Sequence, residues 1–281
     1  MIRDIILSII LIFLFAFYYF PAKVNSQGII TQELTAGETF IMAAICRNAI
    51  VVGADSRYSF IDRNSRVIAY FEGVQKIYQH QAFLMAISGQ STFDSLRLSG
   101  LLKNFSLSHT EKMEFAEFFS EFTKYAKTVL NIKEYTELLE NQFLVCGYIN
   151  TKPIIQYYDG KGKKSKFISS GYITNYDEDN NASWLDEFIK NADQIESIQL
   201  VNKVIKRVID DKNQDTVSSI GGSTSIAYID SIGVNWVHNQ NEYEFYNKKD
   251  FFNNILYGKI QMWYRSKEDS IRLRQALIKN E

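Results

Sequence analysis

The chain has 281 residues, 46% of them hydrophobic and 22% charged, which is enough for one good-sized core or two small ones. A formal net charge of −1 argues against nucleic acid or a strongly anionic surface as a partner. The two cysteines, Cys46 and Cys146, sit in apolar strand-like runs without CxxC spacing, so no metal site and no cofactor is expected. Two buried thiols are the favoured reading, and spacing alone does not decide whether they pair.

Residues 1–26 read as a secretory signal. Arg3 gives a weakly positive start, Ile5 to Phe20 is almost unbroken apolar sequence, and small residues precede Ser26. The apolar run is short for a membrane span of ~20 residues, so an uncleaved N-terminal anchor is the alternative. Either way the domain is expected outside the cytoplasm, secreted or periplasmic. Residues 27–38 read as a short prosegment, and residues 39–281 as a single domain.

Ile41 to Cys46 and Ala49 to Val52 are apolar runs joined by Arg47-Asn48, a pattern that predicts a tight hairpin. Polar residues do not alternate with apolar ones, so both faces should be covered. Asp55 follows directly, where a carboxylate is costly unless paired. Tyr58 to Arg66 is polar and reads as a loop. Val67–Tyr70 and Val74–Tyr78 suggest strands around Gly73, and Ala82–Ile87 a buried strand ended by Ser88-Gly89-Gln90.

Ser91 and Asp94 predict the cap of a helix bearing Phe93, Leu96 and Leu101 on one face. A longer helix is predicted from about Thr110 to Leu130, with Phe115, Phe118, Phe119, Phe122, Ala126 and Val129 as a core stripe. Further strands are expected over Phe143–Tyr148, Ile154–Tyr158 and Lys166–Ser170. Asn175 to Ser183 reads as a loop, and Ile198 to Ile209 carries helical periodicity. A polar linker over 211–219 leads to a closing hairpin, Ser223–Ile229 with Val234–Val237. The tail from Lys248 should be helical. Strands in blocks with helices between them suggest an α+β protein with antiparallel sheets covered by helices.

Thr39, Asp55-Ser56-Arg57, the Val-x-Lys-Ile of Val74 to Ile77, and the strand ending Ser88-Gly89 together resemble a proteasome-type subunit. That family belongs to the N-terminal nucleophile hydrolases. Ser169-Ser170-Gly171 and Gly221-Gly222 are similar to later family segments. The most specific feature is the interval 55 − 39 = 16 residues, the family's spacing between catalytic threonine and aspartate. The resemblance covers nearly all of the chain after residue 38. It implies a four-layer αββα sandwich and hydrolysis of peptide or amide bonds through an acyl-enzyme on Thr39.

The chemistry follows from residue types. Cutting before Thr39 would free an α-amine with a reference pKa near 8, close enough to serve as general base. Lys76, paired with Asp55, would set positive charge beside the hydroxyl. Backbone N–H groups at Ser88-Gly89 would receive the oxyanion. By resemblance, Ser170 and an acid before the glycine pair, nearest Asp215, would hold the amine. Glu38 stands where self-processing relatives carry glycine, so slow processing is expected.

A retained, non-catalytic proteasome-like subunit or binding module is the competing reading. The resemblance also raises a homo-oligomeric ring. His80, His109 and His238 are read as surface or satisfied histidines. If the leader reading holds, expression in a secreting host yields a soluble form outside the cytoplasm that lacks about 26 residues. Full-length protein in the cytosolic fraction would contradict it.

Overall fold

The computed structural model describes residues 35–36, 39–62, 64, 66–159, 163–175, 189, 191–212, 218–238 and 247–279. Residues 1–34, on which the signal reading and most of the prosegment reading fall, and Asp215 lie outside them. No helix among the described residues is long and apolar enough to cross a membrane.

The protein is a mixed α+β fold built on antiparallel sheets. The predicted hairpin is strand β2 (Ile41–Ile45) with β3 (Ile50–Asp55), whose side chains are all buried. It forms the middle of a five-stranded sheet ordered β11 (Gly171–Thr174), β2, β3, β12 (Thr224–Ile229), β13 (Val234–His238). A second five-stranded sheet is ordered β10 (Lys163–Ile168), β9 (Lys152–Asp159), β8 (Gln142–Ile149), β7 (Phe83–Ser88), β6 (Ile77–His80).

Period-two alternation sorts the hairpin's side chains. Ile41, Ala43, Ile45, Ile50 and Val52 pack with Ile77, Leu84, Ala86, Leu144 and Ile155 of the second sheet. Phe40, Met42, Ala44 and Val51 point the other way, onto helix α4 (Gln194–Lys212), through Leu200, Val201, Ile205 and Val208. Cys46 and Cys146 are both buried free thiols. Burial pushes the Cys146 thiol well above its ordinary value, as expected of a packed hydrophobe rather than a reactive group.

The second sheet's outer face carries α1 (Leu98–Ser108), α2 (Phe115–Val129) and α3 (Ile132–Leu139). Their boundaries depart from the sequence reading. Ser91 caps nothing: α1 begins seven residues later, after Arg97, and Phe93 and Leu96 are buried in the preceding loop. The amide of Leu98 instead donates to Ser91 O, and Thr92 bridges Arg97. Helix α2 starts at Phe115 rather than Thr110, and Val129 is partly exposed. Helix α3 was not foreseen, although Asn131 and Glu134 form a complete capping box at its start.

The largest difference is a third sheet, ordered β1 (Thr35–Ala36), β4 (Tyr58–Ile61), β5 (Val67–Phe71), β14 (Trp263–Tyr264). The stretch Tyr58–Arg66, expected to be a loop, thus opens with a strand over Tyr58–Ile61 that is buried at Tyr58, Ser59 and Phe60. Tyr58, Phe60 and Phe71 pack on Phe251, Phe252 and Ile255 of α5 (Lys248–Leu256) and on Leu273 and Leu277 of α6 (Lys267–Lys279). Of the stretch Val74–Tyr78 only the last two residues are strand. β10 begins at Lys163 and ends at Ile168, and β11 follows where no strand was expected.

His80, on β6, is buried among the rings of Phe83, Phe105 and Phe118. Its Nδ1 meets Ser106 Oγ at 2.7 Å, and its Nε2 has no hydrogen-bond partner among the described residues. Burial, and then the nearby His109, hold His80 below the ordinary histidine pKa. The unfolded chain therefore binds the extra proton first, and stability is lost as pH falls through about 6.5. Urea unfolding at pH 7.5 and 5.5 should show this loss in the wild type and a smaller one in His80→Phe; equal losses would contradict it.

Candidate active site

The residues singled out by the sequence gather at one end of the two facing sheets. Thr39 stands two residues before β2, Asp55 ends β3, Lys76 immediately precedes β6, and Ser88 ends β7. The hairpin folds the chain back so that residues 16 apart (55 − 39) become neighbours: the Phe40 amide donates to Asp55 Oδ1 at 3.0 Å, and the Asp55 amide to Phe40 O at 3.2 Å.

The three predicted reactive groups are in direct contact. Lys76 Nζ donates to Thr39 Oγ1 at 2.9 Å, to Asp55 Oδ1 at 3.1 Å and to Arg57 O at 2.6 Å. An ammonium has three N–H bonds, and each of these has an acceptor. All three residues are out of solvent: Thr39 is 3% exposed, Asp55 0% and Lys76 5%.

Such burial is tolerable for Asp55 because its carboxylate is heavily hydrogen-bonded. Besides Lys76 and the Phe40 amide on Oδ1, its Oδ2 accepts from the Gly221 amide at 3.0 Å and the Arg57 amide at 3.3 Å. Gly221 has a steric reason to be glycine: a Cβ there would collide with the Arg57 guanidinium. Lys76 is pulled two ways. Burial lowers its pKa most strongly, Asp55 opposes this, and the Arg57 charge adds to the lowering. The outcome is a lysine below its ordinary value, placed against a hydroxyl.

The main chain of Thr39 is also fixed. Its carbonyl accepts from Ser88 Oγ at 3.0 Å and from Asn175 Nδ2 at 2.6 Å. Gly89 therefore lies next to a residue that touches Thr39. Its φ of 129° suits glycine, and a Cβ would strike Asn141. Asn141 holds the adjoining Gln90 through both its amide and its carbonyl, at 2.6 and 2.8 Å. The turn expected to present N–H groups is thereby rigid.

Ser170 is not brought to Thr39. It is exposed and precedes Gly171, which pairs with Ile45 at the far end of β2. Because β11 runs antiparallel to β2, it is the residue after β11 that reaches the site. That residue is Asn175, whose Oδ1 also accepts from the Ile41 amide at 2.8 Å and whose Nδ2 lies 3.2 Å from Gln142 Oε1. The sequence reading missed Asn175, Gln142 and the side chain of Ser88. The signal for Asn175 was its place as the first residue of the Asn- and Asp-rich stretch that follows Gly171–Thr174. Asp215 lies outside the described residues.

No group of His, Cys, Asp and Glu among the described residues could hold a metal ion. Two cavities, of about 410 and 560 Å³, open among the hairpin turns at the other end of the sheets, around Tyr148, Thr151 and Asp230. Comparison with known proteins adds no relative: no family model matches the sequence, and a search of curated proteins returned no match.

The pair makes a graded stability prediction. Lys76→Ala should cost about 3 kcal/mol, the low end for a broken buried pair, because backbone N–H groups still hold the carboxylate. Asp55→Ala should cost about 5 kcal/mol, since it strands an ammonium and three amides together. Denaturant titration of both variants checks the order. Unchanged stability in either would contradict the pairing.

Proposed function

We propose that the protein is an exported N-terminal nucleophile hydrolase of proteasome type, cutting peptide or amide bonds through an acyl-enzyme on Thr39. On this reading the two facing sheets with their outer helices are the four-layer αββα sandwich of that superfamily. The observation that carries the proposal is Lys76 Nζ, which bridges Thr39 Oγ1 at 2.9 Å and Asp55 Oδ1 at 3.1 Å inside a water-excluded site.

The first reaction is self-cleavage. Thr39 Oγ attacks the carbonyl carbon of Glu38, the Glu38–Thr39 C–N bond breaks, and the acyl group passes from nitrogen to oxygen. Water then hydrolyses the ester and leaves Thr39 with a free α-amine. That amine takes the hydroxyl proton in later turnovers and returns it to the leaving group. Lys76 lowers the proton affinity of the hydroxyl by its charge, and the lowered pKa of the lysine allows it to share the proton. Backbone N–H groups of the Ser88-Gly89 turn stabilise the oxyanion. Asn175 and Ser88 hold the Thr39 carbonyl so that Oγ keeps its aim.

The non-catalytic reading has one observation in its favour. With residue 38 attached, Thr39 is 3% exposed, and an external substrate has no access to it. A precursor awaiting processing has the same property, and a permanent scaffold would keep it.

Intact-mass analysis and N-terminal sequencing separate the two. The hydrolase reading expects a mature chain beginning at Thr39, formed slowly because of Glu38. Thr39→Ala should abolish the cut with little loss of fold stability, and Thr39→Ser should retain part of it. A wild-type chain that still begins near Gln27 after prolonged incubation would support the scaffold.

A further inference from the structure

The third sheet ties the C-terminal part of the chain to the candidate site through three stacked side chains. Arg57 follows Asp55 and Ser56 directly, and its carbonyl accepts from Lys76 Nζ at 2.6 Å. Its guanidinium turns away from Thr39 and lies over the ring of Tyr70, with Cζ 3.9 Å from the ring centroid. The other face of Tyr70 stacks on Trp263, centroids 4.8 Å apart and planes 24° from parallel. Tyr70 is on β5 and Trp263 is its register partner on β14. The order Trp263, Tyr70, Arg57 thus runs from the C-terminal strand to the edge of the site.

Arg57 in turn shapes the support of Asp55. Its Nη1 donates to Ser218 O at 2.9 Å, and its Nη2 pairs with Glu72 Oε1 at 3.0 Å. It fills the space a side chain at 221 would need, so the Gly221 main chain closes on Asp55 Oδ2 at 3.0 Å. We propose that Tyr70, clamped between Trp263 and Arg57, is a positioning residue that sets where the Arg57 charge stands relative to the Thr39–Lys76–Asp55 network. Its consequence for turnover rests on the hydrolase reading; its consequence for Lys76 does not.

The charged groups that act on Lys76 are Asp55, which favours its protonated form, and Arg57, which disfavours it. Glu72 meets Arg57 from just beyond the end of β5, and Ser218 offers it a main-chain carbonyl. An aromatic face attracts a guanidinium and stiffens its placement. With the ring gone, the guanidinium gains freedom to leave, water gains entry, and both changes favour protonated Lys76. A ring that served only as packing would change stability and leave the lysine's titration alone.

The test follows the Lys76 ε-carbon by NMR in full-length protein labelled with 13C-lysine, the resonance being assigned by its loss in Lys76→Met. Tyr70→Leu should move the Lys76 midpoint to higher pH, and Trp263→Leu should move it the same way by less. Tyr70→Phe, which keeps the ring, should leave it in place. A lowered melting temperature with an unmoved Lys76 midpoint in Tyr70→Leu would overturn the proposal. If that variant does not fold, an unmoved midpoint in Trp263→Leu, whose side chain is half-buried, overturns it equally. In parallel, the alkaline limb of Thr39 acylation by a β-lactone, followed on the processed protein, should shift upward with the Lys76 midpoint. A wild type never acylated at Thr39 contradicts the hydrolase reading, while the NMR midpoint still decides the role of Tyr70.

Discussion

Everything at this end of the molecule depends on keeping one buried cation and one buried anion in contact. Lys76 and Asp55 are both removed from water, and neither would be tolerable alone. The fold meets this constraint by converging separate pieces of chain on the pair. The β2–β3 hairpin brings the Phe40 amide, the 218–222 segment brings the Gly221 amide, and Arg57 contributes its amide to Asp55 and its carbonyl to Lys76. Thr39 occupies the one remaining acceptor position around the ammonium. A hydroxyl is thus placed against a lysine whose affinity for its proton is already reduced, an arrangement with more chemical than structural value.

Two facing sheets make this possible because their strand ends coincide. Asp55, Ser88 and Asn175 each end or follow a strand, and Lys76 and Thr39 each precede one. Side chains at such positions are held by rigid ladders yet are free to point across the gap between sheets. The hairpin turns at the other end carry none of the contacts to Thr39. The third sheet adds a constraint of a different kind. It covers the chain immediately after Asp55-Ser56-Arg57, and its core is supplied by the C-terminal helices. Two described residues of the segment before Thr39, Thr35 and Ala36, pair with Phe60 and Ile61 on its edge.

How much of this could be read from the sequence varies with the range of the interaction. The hairpin was legible because Ile41 to Val52 is apolar on both faces and the turn Arg47-Asn48 is local. Asp55 and Lys76 were legible because each charge interrupts apolar sequence. Strand β4 was not, since Tyr58 and Phe60 are buried by Phe251 and Phe252, which lie at the opposite end of the chain. The start of α1 was misread because Ser91 satisfies a capping pattern, while Phe93 and Leu96 are buried without being helical. Ser170 was misassigned for a directional reason. A Ser-Ser-Gly match does not say which end of the adjoining strand meets Thr39, and the antiparallel pairing of β11 with β2 selects Asn175.

The central claim is that Thr39 is a nucleophile with a free amine, activated by Lys76. It is tested most directly by incubating the processed protein with a β-lactone, which opens as it acylates a hydroxyl and adds its whole mass to the residue. Peptide mapping of the adduct should place the full added mass on an N-terminal Thr39, and Lys76→Ala should remove the labelling. An adduct on another residue, or a protein that stays unlabelled while folded, would contradict the account.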